Sequence, residues 1–309
     1  MTLQTPVRLP SADPKNKSRQ DEATQHWIRH AKPLPPSLIG PYDALRRDGI
    51  VKIDWHTLGL PSDLLTELII ESEHVHTKKS DHLEQLNAAD QGKTYWHKLL
   101  GDRDIVSDGQ DIFARVALSE PLLLLAGHYF GVSPWLMEYN LWLNTIEPGA
   151  PRASQLWHRD TEIASDGRFV QSFRSIVKGF VYLHEVTPAH GPTSYVKETQ
   201  VGGKVSDLAL VGDLTETNGA IRYFDDTIAY NKELAKRSIT ADGPRGTVIL
   251  FDASGIHKGG KPLSSSRLLY KFELGDWLWR GFPYPKLHWR FTDDVATRLS
   301  PLARFAIEG

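Results

Sequence analysis

The spacing of apolar side chains along the chain changes once, near Pro134. Before that point they recur at helical intervals. Leu64, Leu65, Leu68 and Ile69 share one face behind Ser62, which is placed to cap the helix. The run LLLLAGHYF follows Ser119 and Pro121 and stops at Gly131, a second helix with a proline start and a glycine end. Residues 42–47 read as a short helix stopped by Gly49, after which IVKID reads as a strand. Beyond Pro134 the period falls to two. In LMEYNLWLNTI, Met137, Tyr139, Leu141 and Leu143 alternate with Glu138, Asn140, Trp142 and Asn144, which predicts a long strand with one polar face. Further strands are predicted at SQLWH, SIVKGFVYLHEV, TSYVK, GTVILFD and RLLYKFEL, separated by Gly, Pro and Asn/Asp turns. Strands that succeed one another without regular helices between them imply an antiparallel barrel or sandwich. The expected class is mainly β with flanking helices.

The first 25 or so residues are polar and carry Pro6, Pro10 and Pro14, so residues 1–40 are expected to form a flexible arm ahead of a single domain over 41–309. Two departures from the strand pattern lie within that domain. Residues 201–242 are polar and read as a partly helical excursion, and 276–309 open with the aromatic-rich DWLWRGFPYPKLHWRF. Packing against the strands is the expectation for the aromatic segment, with a lid or a homodimer contact as the alternative.

Composition narrows the function. At 40% hydrophobic and 24% charged, the 309 residues match ordinary globular usage. A net charge of -2, from 36 basic and 38 acidic residues, provides no field that would draw nucleic acid or anionic lipid, so a small-molecule substrate is expected. With no cysteine, disulfides, thiolate metal sites and cysteine nucleophiles are excluded, and any metal must be held by His and carboxylate. The opening residues lack the apolar core of a signal peptide, and no run approaches the roughly 18 apolar residues of a membrane helix. A soluble cytoplasmic protein is expected.

Two segments carry candidate chemistry. His158-Arg159-Asp160 ends SQLWH, and in extended chain residues i and i+2 point to the same side, so His158 and Asp160 can meet one ion. Two imidazoles and one carboxylate on one face of an octahedron are what a non-haem Fe(II) oxygenase requires. The triplet alone is weak, because a chain of this composition is expected to contain one by chance. The second segment, GTVILFDASGIHKGGKPLSSSRLLYKFEL, sharpens the signal. A β-prone run presents His257 at a glycine-containing turn and returns through Arg267, whose planar fork suits a carboxylate. Taken singly, His257 would be a turn residue, Arg267 an exposed strand cation and Asp160 a backbone cap; their order and context favour a site. His26/His30 and His74/His76 lack a patterned carboxylate partner and read as surface histidines, and His128 as a packing residue.

At QLWHRDTE, KGFVYLHEVTPAHGPTSYV and GTVILFDASGIHKGGKPLSSSR, the chain resembles the phytanoyl-CoA dioxygenase family, in which His-x-Asp, a Gly-Pro strand, a distal His and an Arg occur in this order. The resemblance runs over about residues 42–275 and extends to LRRDGIVKID. It implies a double-stranded β-helix, a cupin-like jelly roll, with Fe(II) held by His158, Asp160 and His257 at one mouth. It also implies 2-oxoglutarate held through its C5 carboxylate by Arg267, with Gln155 in contact and Phe180 packed against it. Dioxygen is the third participant. The implied reaction releases succinate and carbon dioxide and hydroxylates an unactivated C–H bond of a small metabolite. Related halogenases carry a small residue at the carboxylate position, so Asp160 points to hydroxylation; desaturation, ring formation and epimerisation use the same oxidant. The segment after His190-Gly191-Pro192 departs from the family ending, and the spacing from His257 to Arg267 is one residue shorter than in many members. The alternatives are a cupin-type metal enzyme that does not use 2-oxoglutarate, and a jelly roll that binds without turnover.

Overall fold

The structure, a computed structural model, describes residues 14–83, 95–100, 111–160, 176–206, 216–218, 221–224, 236–277 and 298–307. Its centre is a six-stranded antiparallel sheet in the order β1-β9-β4-β11-β3-β2. The strands are β1 (Ile50–Asp54), β2 (Trp96–Lys98), β3 (Trp135–Asn144), β4 (Ile176–Tyr182), β9 (Thr247–Asp252) and β11 (Arg267–Gly275). A three-stranded sheet joins β10 (His257–Lys258), β5 (Ser194–Val196) and β8 (Ser238–Thr240), and β6 (Glu216–Asn218) pairs with β7 (Ile221–Tyr223). The alternation read from the sequence decides what each face of the large sheet meets. Val177, Val181, Val248, Leu250, Tyr270 and Phe272 form one continuous core with the helices. Ile50, Phe180, Tyr182, Ile249, Phe251 and Leu269 point the other way and meet Tyr195 of the smaller sheet. This is the expected double-stranded β-helix, two facing antiparallel sheets that do not close into a continuous barrel.

The helices are α1 (Pro14–His30), α2 (Pro36–Asp48), α3 (Ser62–Lys79), α4 (Ile112–Ala117), α5 (Glu120–Phe130) and α6 (Pro301–Ile307). Gly49 ends α2 in the left-handed region at φ 78°, donating its N–H to the Leu45 carbonyl at 2.9 Å, and the chain turns directly into β1. Among the described residues no helix is long and apolar enough to cross a membrane.

Three expectations need correction. Of the arm expected over 1–40, residues 14–40 form α1 and the start of α2, and residues 1–13 lie outside the described residues. Ala23 and Trp27, four residues apart, are buried, and the Trp27 ring lies where a Cβ on Gly127 would sit. The buried stripe is only these two side chains wide, so it leaves little periodicity to read. Pro61, not Ser62, occupies the N-cap position of α3, without a side-chain cap. SQLWH is a short 3-10 turn over Ala153–Gln155 followed by isolated bridges from Trp157 to Phe224 and His158 to His257. Ala153 at φ 46° breaks the extended run there. Most of the 201–242 excursion and the aromatic segment beyond Trp277 lie outside the described residues. Trp277 itself is buried, and its indole N–H donates to the Ser133 carbonyl at 2.8 Å.

Gly179 of β4 faces Phe272 of β11 in register, and a Cβ there would run into the Phe272 ring. Gly179→Ala is therefore expected to destabilise the protein by roughly 1–3 kcal/mol through overpacking. The urea midpoint should fall, with partial recovery when Phe272→Leu is added; a variant as stable as wild type would show that the ring is free to move.

Candidate active site

His158 and His257 are joined by a two-way backbone bridge, each N–H donating to the other's carbonyl at 2.9 Å. This places their imidazole centroids 4.4 Å apart although 98 residues of sequence separate them. Asp160 follows two residues after His158, held by its own N–H to the Ala253 carbonyl at 3.1 Å. Its Oδ1 lies 3.4 Å from His158 Nε2 and its Oδ2 lies 3.4 Å from His257 Nε2. One ligand atom from each of the three residues falls within 4.8 Å of the others. His158 Nδ1 is 2.7 Å from the Leu156 carbonyl and His257 Nδ1 is 2.9 Å from the Gly255 carbonyl. A carbonyl only accepts, so each Nδ1 carries the proton and each Nε2 presents a lone pair toward Asp160, the ligand-ready tautomer. Burial, with His158 adding to it, pushes the His257 imidazole below its ordinary pKa and keeps it neutral. Burial by itself would raise the Asp160 carboxyl, but the Lys178 ammonium beside it outweighs that and holds it well below the carboxylate range. The middle residue of the triplet is structural. Arg159 is buried and donates to the carbonyls of Thr199 at 2.6 Å, Ser254 at 2.5 Å and Ser206 at 3.2 Å, bolting the ligand segment to the loop before His257.

Arg267 opens β11 in register with Asn144 of β3 and lines a cavity of about 240 Å³ together with His158, Asp160 and His257. Its guanidinium, 3% exposed, donates to the Gly191 carbonyl and to Asn144 Oδ1 at 3.4 Å. Both acceptors are neutral, and among the described residues Nε has no hydrogen-bond partner and no carboxylate forms an ion pair with the guanidinium. A buried cation in that state calls for an anion. Phe180 lines the same cavity, its ring 5.8 Å from Trp142 and 5.3 Å from Phe251. Gln155 is not among the residues lining the cavity: it is buried, and its Oε1 accepts from the Arg152 N–H at 3.2 Å.

The profile of the phytanoyl-CoA dioxygenase (PhyH) family matches residues 61–268, a span that includes both histidines, Asp160 and Arg267. The chain belongs to the phytanoyl-CoA dioxygenase family. It is accordingly a 2-oxoglutarate-dependent oxygenase, an oxidoreductase. Among solved structures it is similar to EctD from S. alaskensis with bound Fe, at 18% identity and a TM-score of 0.51 over 80% of each chain. It is also similar to HygX from Streptomyces hygroscopicus with nickel and 2-oxoglutarate bound, at 18% identity and a TM-score of 0.50 over 82% of this chain and 90% of that one. At such identity the likeness is one of fold. No curated protein sequence matches the chain.

In this member of the phytanoyl-CoA dioxygenase family, the cavity also holds a charged ladder beyond the site residues predicted from the sequence. Asp160 contacts Lys178, whose Nζ is 3.3 Å from Glu273 Oε1. Glu273 Oε1 is 2.8 Å from Lys271 Nζ, Lys271 also contacts Glu138, and Glu138 Oε1 is 3.0 Å from Lys98 Nζ. The ladder crosses β4, β11, β3 and β2, so the polar face foreseen for β3 is an interior wall. The signal that could have found the rest is the period of two in RLLYKFEL, which puts Arg267, Lys271 and Glu273 on one face and Leu268, Tyr270 and Phe272 on the other.

Burial by itself would raise the Glu138 carboxyl, but the Lys271 and Lys98 ammonium groups outweigh it and hold the pKa at about 2 instead of 4.5. A depressed carboxyl contributes stability that is complete above its unfolded pKa and is lost as the pH falls through the folded one. Wild type is therefore expected to lose stability between pH 4.5 and about 2. Lys271→Met removes the ammonium shared by two buried carboxylates, at an expected cost of about 3 kcal/mol at neutral pH. Urea titrations across pH should show that cost and a shallower acid loss in the variant; parallel curves would mean that Lys271 does not hold Glu138 ionised.

Proposed function

We propose that the chain is an Fe(II)- and 2-oxoglutarate-dependent hydroxylase of a small molecule. Iron is held by His158, Asp160 and His257, and the C5 carboxylate of 2-oxoglutarate by Arg267. The observation that carries the reading is the joint occupancy of one cavity by two buried histidines, a part-buried aspartate and a buried guanidinium that, among the described residues, has no carboxylate of its own. The donor set fits ferrous iron: two neutral imidazole nitrogens and one carboxylate, with no thiolate in the chain. The solved structures of like fold contain iron, or nickel with 2-oxoglutarate, by their own descriptions.

With metal, 2-oxoglutarate and dioxygen bound, the chemistry supplied is oxidative decarboxylation of the co-substrate to succinate and carbon dioxide, coupled to C–H hydroxylation. The chain's part is to bind and orient. The carbonyls of Leu156 and Gly255 fix the imidazole tautomers, Lys178 helps keep Asp160 ionised, and Arg267 presents a planar fork at a fixed place on β11. Asp160 supplies a carboxylate where a small residue would favour halogenation. Phe180 is the apolar wall against which the co-substrate packs. Gln155, already engaged with the Arg152 backbone, is not assigned a contact.

Anaerobic addition of Fe(II) and 2-oxoglutarate should produce the visible charge-transfer band of the chelate. Asp160→Ala should lose the band and lower succinate formation more than roughly 100-fold, beyond what is usual for the groups that support metal ligands. Arg267→Ala should keep metal binding and raise the 2-oxoglutarate requirement about 10- to 100-fold, the range set by losing charge-assisted hydrogen bonds. An Arg267→Ala enzyme with unchanged co-substrate affinity would point to a cupin-type enzyme that does not use 2-oxoglutarate.

A further inference from the structure

The ladder has places left for something else to bond. Glu273, 1% exposed and lining the cavity, takes both Lys178 and Lys271 on Oε1, while its buried Oε2 has no hydrogen-bond partner among the described residues. Trp142, on the same wall, has its ring under the Lys271 ammonium at 4.7 Å, and its buried Nε1–H likewise has no acceptor among the described residues. An unmet carboxylate oxygen and an unmet indole N–H are costly in a protein interior unless a ligand completes them. Glu273 stands close to the candidate metal ligands, because the Lys178 ammonium touches both Asp160 and Glu273, and Trp142 lines the same cavity.

We propose that the substrate is a small hydroxyl-bearing molecule that donates an O–H to Glu273 Oε2 and offers an oxygen to the Trp142 indole N–H. This rests on the oxygenase reading above and assigns its substrate class. A hydroxyl group both donates and accepts, which matches one open acceptor and one open donor on a single wall. The ladder is balanced in charge, with Lys98, Lys178 and Lys271 against Asp160, Glu138 and Glu273, so it asks for no net charge from the ligand. An acyl chain, the substrate type in the family's name, would lay methylenes against buried ions and leave both open groups unmet.

The test uses the full chain loaded with Zn(II) and 2-oxoglutarate and three fragment sets of matched size: polyols, amino alcohols and linear alkyl carboxylates. Binding is followed by ligand-observed NMR titration, and the Trp142 indole N–H signal, assigned by its loss in Trp142→Phe, locates it. Polyols are expected to shift that signal. Glu273→Gln should weaken their binding at least tenfold, a loss of about 1.4 kcal/mol, and Trp142→Phe should weaken it several-fold, which keeps the proposal testable if the Glu273 variant folds poorly. Binding confined to amino alcohols would overturn the hydroxyl assignment in favour of an ammonium on Glu273. Preference for alkyl carboxylates, polyol binding indifferent to both variants, or no shift from any set would overturn the proposal itself. The Fe(II)–2-oxoglutarate band separates the two levels. Its absence in wild type removes the oxygenase reading, whereas a normal band with alkyl preference removes only the substrate class.

Discussion

The two backbone hydrogen bonds between His158 and His257 are the constraint on which the site depends. They are made by peptide groups, so they are indifferent to what the side chains do and fix the two imidazoles side by side before any ion is considered. Asp160 arrives by a local and a long-range constraint together. Extended geometry carries it to the same side as His158, and its N–H is caught by Ala253 on the chain leading to His257. Arg159, pointing away, ties the same two segments together through the Ser254 carbonyl and anchors both to the loop after β5 through the carbonyls of Thr199 and Ser206, so the odd member of the triplet secures the geometry used by the even ones.

Behind that bridge stands a sheet whose two faces obey different rules. Toward the helices, β4, β9 and β11 present buried valines, leucines and aromatics, with the Tyr270 hydroxyl donating to the Phe113 carbonyl, and Gly179 is small because Phe272 needs the space. Toward the cavity, β11 presents Arg267, Leu269, Lys271 and Glu273 in succession. At about 3.4 Å per residue the strand spaces Arg267 and Glu273 some 20 Å apart in backbone terms. One straight element thus carries the group assigned to the co-substrate and the group assigned to the substrate. Packing on the helix face therefore sets distances on the cavity face.

Much of this was legible in the chain. The four residues His158, Asp160, His257 and Arg267 could be placed because order along the sequence, strand period and side-chain chemistry agreed, and Gly49 and Gly131 marked helix ends for reasons local to themselves. What escaped was set by contacts between distant segments. Ala23 and Trp27 look like part of a polar arm until Gly127 is seen to leave room for the indole. SQLWH has strand composition, but Ala153 turns the backbone and leaves only isolated bridges. Gln155 has its side chain occupied by the Arg152 backbone, a contact with no sequence signature. Lys178, Lys271 and Glu138 were hidden for a different reason. A charged residue in an alternating strand ordinarily marks the solvent side, and only the pairing of β2, β3, β11 and β4 shows that their charges answer one another indoors.

That ladder is hard to explain by stability. Replacing buried ion pairs with apolar side chains of similar volume is often neutral or stabilising, because desolvation offsets most of the attraction between the charges. The sheet already shows on its helix-facing side that it can be built from valine, leucine and phenylalanine. Glu138, Lys271 and Glu273 are each less than a tenth exposed, yet the wall they form retains an acceptor and a donor that nothing in the described chain completes. A wall made only for folding would close those bonds internally. One that leaves them open beside the carboxylate assigned to the metal is shaped for a molecule that arrives later, and its chemistry is the complement of what the wall lacks.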